Sequence, residues 1–206
     1  MGLWEATHGS ATNKPKFAVD DENSDYAREN IYATNSGWVR KAGTPANGND
    51  NASAQAEVLV AIGGLAGVSA TTGLREATIT DVRWITSSVS AGSVTLTAEI
   101  TWDEGVTVTG SPVLTVINGN EGTGSGRGPH ALVYTTTGST ANRKRFTLAS
   151  QTVVEDDVLT LATSIHNAVT LPGGATIVDT ASSSVSALRD LSSYTGTAAA
   201  TITVVA

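Results

Sequence analysis

Gly122, Gly124, Gly126 and Gly128 form a G-x-G-x-G-x-G run, the kind of spacing whose backbone amides can cradle a phosphate. A dinucleotide fold needs G-x-G-x-x-G between a strand and a helix, and a P-loop needs Lys-Ser/Thr after its last glycine. Pro129 and His130 follow here instead, so the run reads as a long flexible loop, Gly119 to Pro129. His8, His130 and His166 lie far apart and lack H-x-x-x-H spacing, which argues against a shared zinc. Asp21, Asn23 and Asp25 imitate the first half of a calcium loop, but Tyr26 stands where that loop needs glycine and Tyr32 where it needs glutamate. Asp103-Glu104 and Glu155-Asp156-Asp157 are acidic turns at strand ends. They are expected to be solvated, with calcium between them as the sharper alternative. Arg143-Lys144-Arg145 enters a strand and reads as charge that keeps an edge strand soluble, or as a contact for an acidic neighbour. No G-x-S-x-G elbow supports a hydrolase serine. An enzyme is the class with least support, and no cofactor or metal site is expected.

The elements that must position these residues are strands. Val94, Leu96, Ala98, Ile100 and Trp102 alternate with Thr95, Thr97, Glu99 and Thr101, which sends one set to a core and the other to water. Val106 to Thr109 alternates again, Gly110-Ser111-Pro112 turns the chain, and Val113 to Ile117 is a β-branched run. Strands are expected at about 57–62, 77–86, 93–102, 106–109, 112–118, 131–137, 144–150, 157–165, 174–179 and 199–205. Leu96, Ile100, Trp102, Leu114 and Leu159 should share one core.

Residues 1–56 differ. Five of the ten aromatics (four Trp, four Tyr, two Phe in all) fall in the first 38 positions: Trp4, Phe17, Tyr26, Tyr32 and Trp38. They follow neither period 2 nor period 3.6. A short helix is expected over 24–33. Isolated large anchors with few aliphatic neighbours cannot bury a core alone, so the segment reads as a largely extended arm ending in the linker 42–56. Trp4, Phe17, Ile31, Tyr32 and Trp38 are its candidate partner contacts. The competing reading has them completing the core of the strand-rich remainder.

Composition narrows the partners. A net charge of −7, with acids and bases mixed, repels phosphate and argues against nucleic acid. The absence of cysteine excludes disulfides and thiolate metal sites. No segment approaches the roughly 20 apolar residues of a membrane span. The opening MGLWEATHGS lacks the basic-then-apolar pattern of a secretory signal.

Two resemblances follow. The run Val106-Thr107-Val108-Thr109-Gly110-Ser111-Pro112-Val113-Leu114-Thr115-Val116, preceded by a Thr/Val strand and Asp103-Glu104, resembles the immunoglobulin-like repeats of bacterial and phage surface proteins. Ala131 to Tyr134, Lys144 to Leu148, Asp157 to Leu159 and Gly173 to Asp179 fall in that family's order, so the likeness covers about 77–206. The opening, with Gly2 to Thr7, Asn13 to Phe17, Asn35 to Lys41 and Glu57 to Ala61, resembles virion structural proteins of T4-like phages of aquatic bacteria.

Together these readings imply an all-β chain: an extended docking arm and linker (1–56), a connecting strand and glycine-rich segment (57–76), and an immunoglobulin-like antiparallel β-sandwich (77–206). The implied role is a capsid decoration (cement) protein on the outer surface of the virion, assembled in the host cytoplasm. Its partner would be the major capsid protein or another virion protein, with a homo-oligomer on the particle left open and no membrane involved. A neck, tail or fibre-attachment component is the alternative. A host-surface or carbohydrate-binding adhesive module is another, and it would need exposed aromatics at Trp84, Trp102 or Tyr134.

Overall fold

The computed structural model describes residues 30–34, 37–42, 55–61, 76–124, 127–161, 166, 168–181, 183–192 and 201–206. Among these the chain is all-β, with strands β1 (Ile31–Thr34), β2 (Gly37–Arg40), β3 (Glu57–Ala61), β4 (Ile79–Trp84), β5 (Val89–Ser90), β6 (Gly92–Trp102) and β7 (Val106–Thr109). The chain continues with β8 (Val113–Asn118), β9 (His130–Thr135), β10 (Arg143–Val153), β11 (Val158–Thr160), β12 (Thr176–Asp179) and β13 (Thr201–Val205). One 3-10 turn, Pro172–Gly174, precedes β12. The chain forms two units that interleave along the sequence: Met1–Thr80 with Thr101–Thr107 and Val178–Leu188, and Asp81–Ile100 with Val108–Ile177 and Arg189–Ala206.

The first unit contains the three-stranded sheet β1-β2-β3. β1 and β2 pair antiparallel from Ile31↔Arg40 to Thr34↔Gly37. Gly37 has φ +116°, a conformation only glycine adopts freely, which is why the hairpin re-enters β2 at that residue. Arg40 faces Glu57 across β2 and β3 and donates to its carboxylate from Nε at 3.1 Å. The helix expected over 24–33 is corrected at Ile31, Tyr32 and Ala33, which lie in β1; residues 24–29 fall outside the described residues. Pairing with Trp38 and Val39, both buried, fixes this stretch as a strand whatever its local preference. Asp103 caps the neighbouring backbone: Oδ1 accepts from the Thr78 amide and Oδ2 from its hydroxyl, both at 2.7 Å. The Ala33 amide donates to the Asp103 carbonyl at 2.9 Å. Asp103 and Glu104 are each only 3 % exposed, so the solvated acidic turn is corrected. Trp102, expected in the sandwich core, belongs to this unit, where its indole donates to the Leu188 carbonyl at 2.9 Å.

The second unit is organised by the sheet β4-β6-β10-β9-β8-β11-β13-β5. The strands at its two ends, β4 and β5, are separated by residues 85–88 alone. The five residue steps from Trp84 to Val89 reach at most about 18 Å, whereas eight strands laid flat would spread over roughly 33 Å. The sheet therefore curls back on itself, and its inner face becomes a core. Leu96, Ala98 and Ile100 of β6, Leu114 and Val116 of β8, Leu132 of β9, Phe146 of β10 and Leu159 of β11 are all completely buried there. Each contributes about 1.5–3 kcal/mol of burial, less for alanine. Tyr134 sits directly opposite Phe146 and packs edge to face at 6.2 Å. The pairings β8–β9, β9–β10, β8–β11 and β11–β13 are antiparallel, and β13–β5 is parallel.

Candidate functional site

The sequence-derived contact residues divide. Trp4 and Phe17 fall outside the described residues. Ile31 and Trp38 are 0 % and 1 % exposed, so in this arrangement they hold the hairpin rather than offer surface to a partner. Tyr32 is half-buried on β1, and that burial pushes its phenol above the ordinary range. Over residues 31–34 and 37–40 the expected extended arm is a pair of antiparallel strands.

The densest chemistry lies in the second unit, on the outward side of β6. Strict alternation sends Glu99 to solvent, yet it is completely buried. Arg83 of β4 donates to Oε1 from Nη2 at 3.0 Å, Arg143 of β10 stands 3.6 Å from the same oxygen, and Arg145 donates to Oε2 from Nε at 3.0 Å. β6 lies between β4 and β10, so one carboxylate ties three adjacent strands. Burial alone would push the Glu99 carboxyl up; Arg143, Arg145 and Arg83 outweigh it and hold the group below its usual range. A carboxylate so stabilised in its charged form is a poor proton acceptor, and the arrangement acts as a staple. Gly138, at φ +74°, leaves the room in which the Arg145 guanidinium lies.

The basic run therefore needs correction. β10 is an interior strand rather than an edge, and the acidic neighbour of Arg143 and Arg145 is Glu99 of the same chain. Lys144, between them, points the other way. It is 7 % exposed and donates to the Thr140 carbonyl at 2.6 Å, and burial lowers its ammonium to about 8.

A second cluster sits where β8 ends. Asp157 is fully covered while Glu155 and Asp156 are exposed, so only part of that acidic turn is solvated. Its Oδ2 accepts from the Val154 amide at 3.0 Å, and Oδ1 accepts from Asn120 Nδ2 at 3.2 Å and faces Arg127 Nε at 3.5 Å. Burial alone would raise this carboxyl; the Val154 amide, the Asn118 and Asn120 amides and Arg127 hold it low. The glycine-rich loop, expected to be flexible, is built from turns at its described end: Asn118 Oδ1 accepts from the Asn120 amide at 2.9 Å, and the Asn120 carbonyl accepts from the Thr123 amide at 3.1 Å. Among the described residues, no group of three or more His, Asp or Glu is arranged to hold a metal.

No known protein family, curated protein or solved structure matches this chain. Its ionisable clusters must speak for themselves. Both described clusters spend their charge internally, on tying strands and turns together. The signal for the first was present in the sequence, since Arg143 and Arg145 are two residues apart and so share a face of β10.

Proposed function

We propose that this chain is a non-enzymatic structural protein of a phage particle, a decoration protein that docks on the capsid shell through its N-terminal region and displays an immunoglobulin-like domain. The observation that carries the display domain is the strand order. In chain order, β4, β6, β8, β9, β10, β11 and β13 take the places of strands A to G, and the observed succession then reads A-B-E-D followed by C-F-G. That succession matches the order within the ABED and CFG sheets of an immunoglobulin-like sandwich, joined here into one sheet through the β8–β9 pairing. The V-T-V-T-G-S-P-V-L-T-V run falls on β7, a turn with Gly110 at φ +74°, and β8, so the residues behind the resemblance occupy structural positions. The charged clusters favour rigidity over reactivity, which suits a protein that endures on a particle surface. The virion role itself rests on the sequence resemblance, because one fold serves many functions.

Docking is tested by re-addition. Particles of the source phage lacking this protein should bind purified full-length chain saturably, at a fixed copy number in co-sedimentation. Deleting residues 1–29 spares the buried hairpin and should abolish binding. Tyr32→Ala should weaken binding by roughly tenfold or more, as for an aromatic anchor. Full incorporation of the deletion variant would sink the docking role, and failure of the intact chain to bind would sink the virion reading.

A further inference from the structure

We propose that His130 is a proton-operated latch: its protonation rearranges Asn118, unseats Asn120 from Asp157 and so frees the start of the β8–β9 connection from the β10–β11 turn. The site lies wholly within the second unit. His130 opens β9 opposite Val116 of β8, and Asn118, two residues further along β8, is its diagonal neighbour on the same buried face. Asn118 is in turn directly opposite Leu159 of β11, two residues beyond Asp157. Three polar side chains, each no more than 2 % exposed, thus converge at one end of the core.

Their hydrogen bonds set the logic. His130 bonds the Gln151 side chain of β10 in a way that favours the charged ring, so the imidazole is the donor. Nε2 is buried without a partner, which assigns that bond to Nδ1 and leaves Nε2 as the bare acceptor of the neutral ring. Asn118 Nδ2, also buried, faces Asp157 without closing a hydrogen bond, while Oδ1 accepts from the Asn120 amide. Asn120 Nδ2 then holds both the Asp156 carbonyl at 3.1 Å and the Asp157 carboxylate at 3.2 Å.

Protonation turns Nε2 into a buried donor with nothing to receive it. The diagonal neighbour Asn118 carries an acceptor, Oδ1, and turning it toward the ring takes it from the Asn120 amide. The turn that aims the Asn120 side chain at Asp157 then loses its anchor. The charged groups around the ring are Asp157 and Glu121, which favour the imidazolium. Arg127, 3.5 Å from Asp157, screens that carboxylate, and Glu155 and Asp156 are exposed. Burial outweighs the acids and depresses the ring below its ordinary 6.5. A depressed histidine leaves the unfolded or opened state with more protons as pH falls, so the latched form is fully stable above about 6.5 and weakens below it.

The test is amide hydrogen exchange on the full chain, corrected for intrinsic rates, between about pH 7 and pH 5. Protection of the Asn120 and Val154 amides is expected to fall at least tenfold across that range, with Leu114 and Leu132 unchanged. In His130→Gln, which keeps a polar side chain but cannot titrate, the two amides should show no such dependence. Equal loss in His130→Gln, or none in the native chain, overturns the latch. Should His130→Gln fail to fold, the imidazole titration of the native chain decides by NMR: a midpoint below 6.5 that coincides with the Asn120 change supports the proposal, and one at or above 6.5 overturns it.

Discussion

Replacing Glu99 by alanine is expected to destabilise the second unit by about 3 kcal/mol or more, the usual cost of removing one partner from a buried ion pair. Glu99 is completely covered, and its two oxygens answer Arg83, Arg143 and Arg145. The arginines keep some access to water, at 21 %, 11 % and 31 % side-chain exposure, so the loss should lie at the lower end of the range for fully buried charges. Glu99→Gln keeps the shape but not the charge and should recover only part of the loss. The pH dependence has a definite sign. The folded carboxyl titrates below its ordinary 4.5, so its contribution is complete above that value and disappears as pH falls through the folded pKa. Urea denaturation at neutral pH and in acid checks both points: wild type and Glu99→Ala should converge as the medium becomes acidic. Equal denaturation midpoints at neutral pH would show that the cluster is not a staple.

Lys144→Met should do the opposite and stabilise the chain. Lys144 is buried on the Phe146 side of β10, its recorded hydrogen bond goes to the Thr140 carbonyl, and its ammonium is lowered from 10.5 to about 8. A folded pKa below the unfolded one means the unfolded chain holds the proton more tightly. Stability is therefore greatest above about 10.5 and is lost as pH falls to about 8. At neutral pH the full cost of burying the charge is present. A shift of that size corresponds to about 3 kcal/mol, and loss of the Thr140 hydrogen bond offsets about 1 kcal/mol of the gain. A net gain of about 1–3 kcal/mol is expected, since methionine fills the same space without a charge. Thermal melts at neutral pH should show a higher Tm for the variant, and the difference should shrink near pH 10.5, where lysine is neutral anyway. A lower Tm at neutral pH would mean that Lys144 is better solvated than its burial implies.

The strands from β6 onward were legible where alternation and turn residues, which are local properties, mark them. β6, β7, β8 and β12 lie within about two residues of the boundaries expected from Val94–Trp102, Gly110–Pro112 and Gly173-Gly174. β1, β2 and β5 were not anticipated. β5 has two residues, too few for a period, and takes its form from parallel pairing with β13 at Val204↔Val89. β1 owes its form to Trp38 and Val39 across the hairpin, a tertiary context that overrides local preference. The Glu99 cluster was half legible. Arg143 and Arg145 stand on one face of β10, but only the adjacency of β4, β6 and β10 brings Arg83 and both of them onto one glutamate. Local reading treats a charged residue on an alternating strand as solvent-facing. Asp103 and Asp157 escaped it for the same reason, because backbone amides and neighbouring side chains replace water as their partners.

Cryo-EM of the purified particle of the source phage is the measurement that bears most directly on the proposed virion role. Density is expected on the outer capsid surface, at a fixed stoichiometry, into which the curled sheet fits with β6 beside β4 and β10 and the N-terminal region against the shell. Particles whose outer surface carries no such density, with the chain recovered only in the soluble lysate, would contradict it.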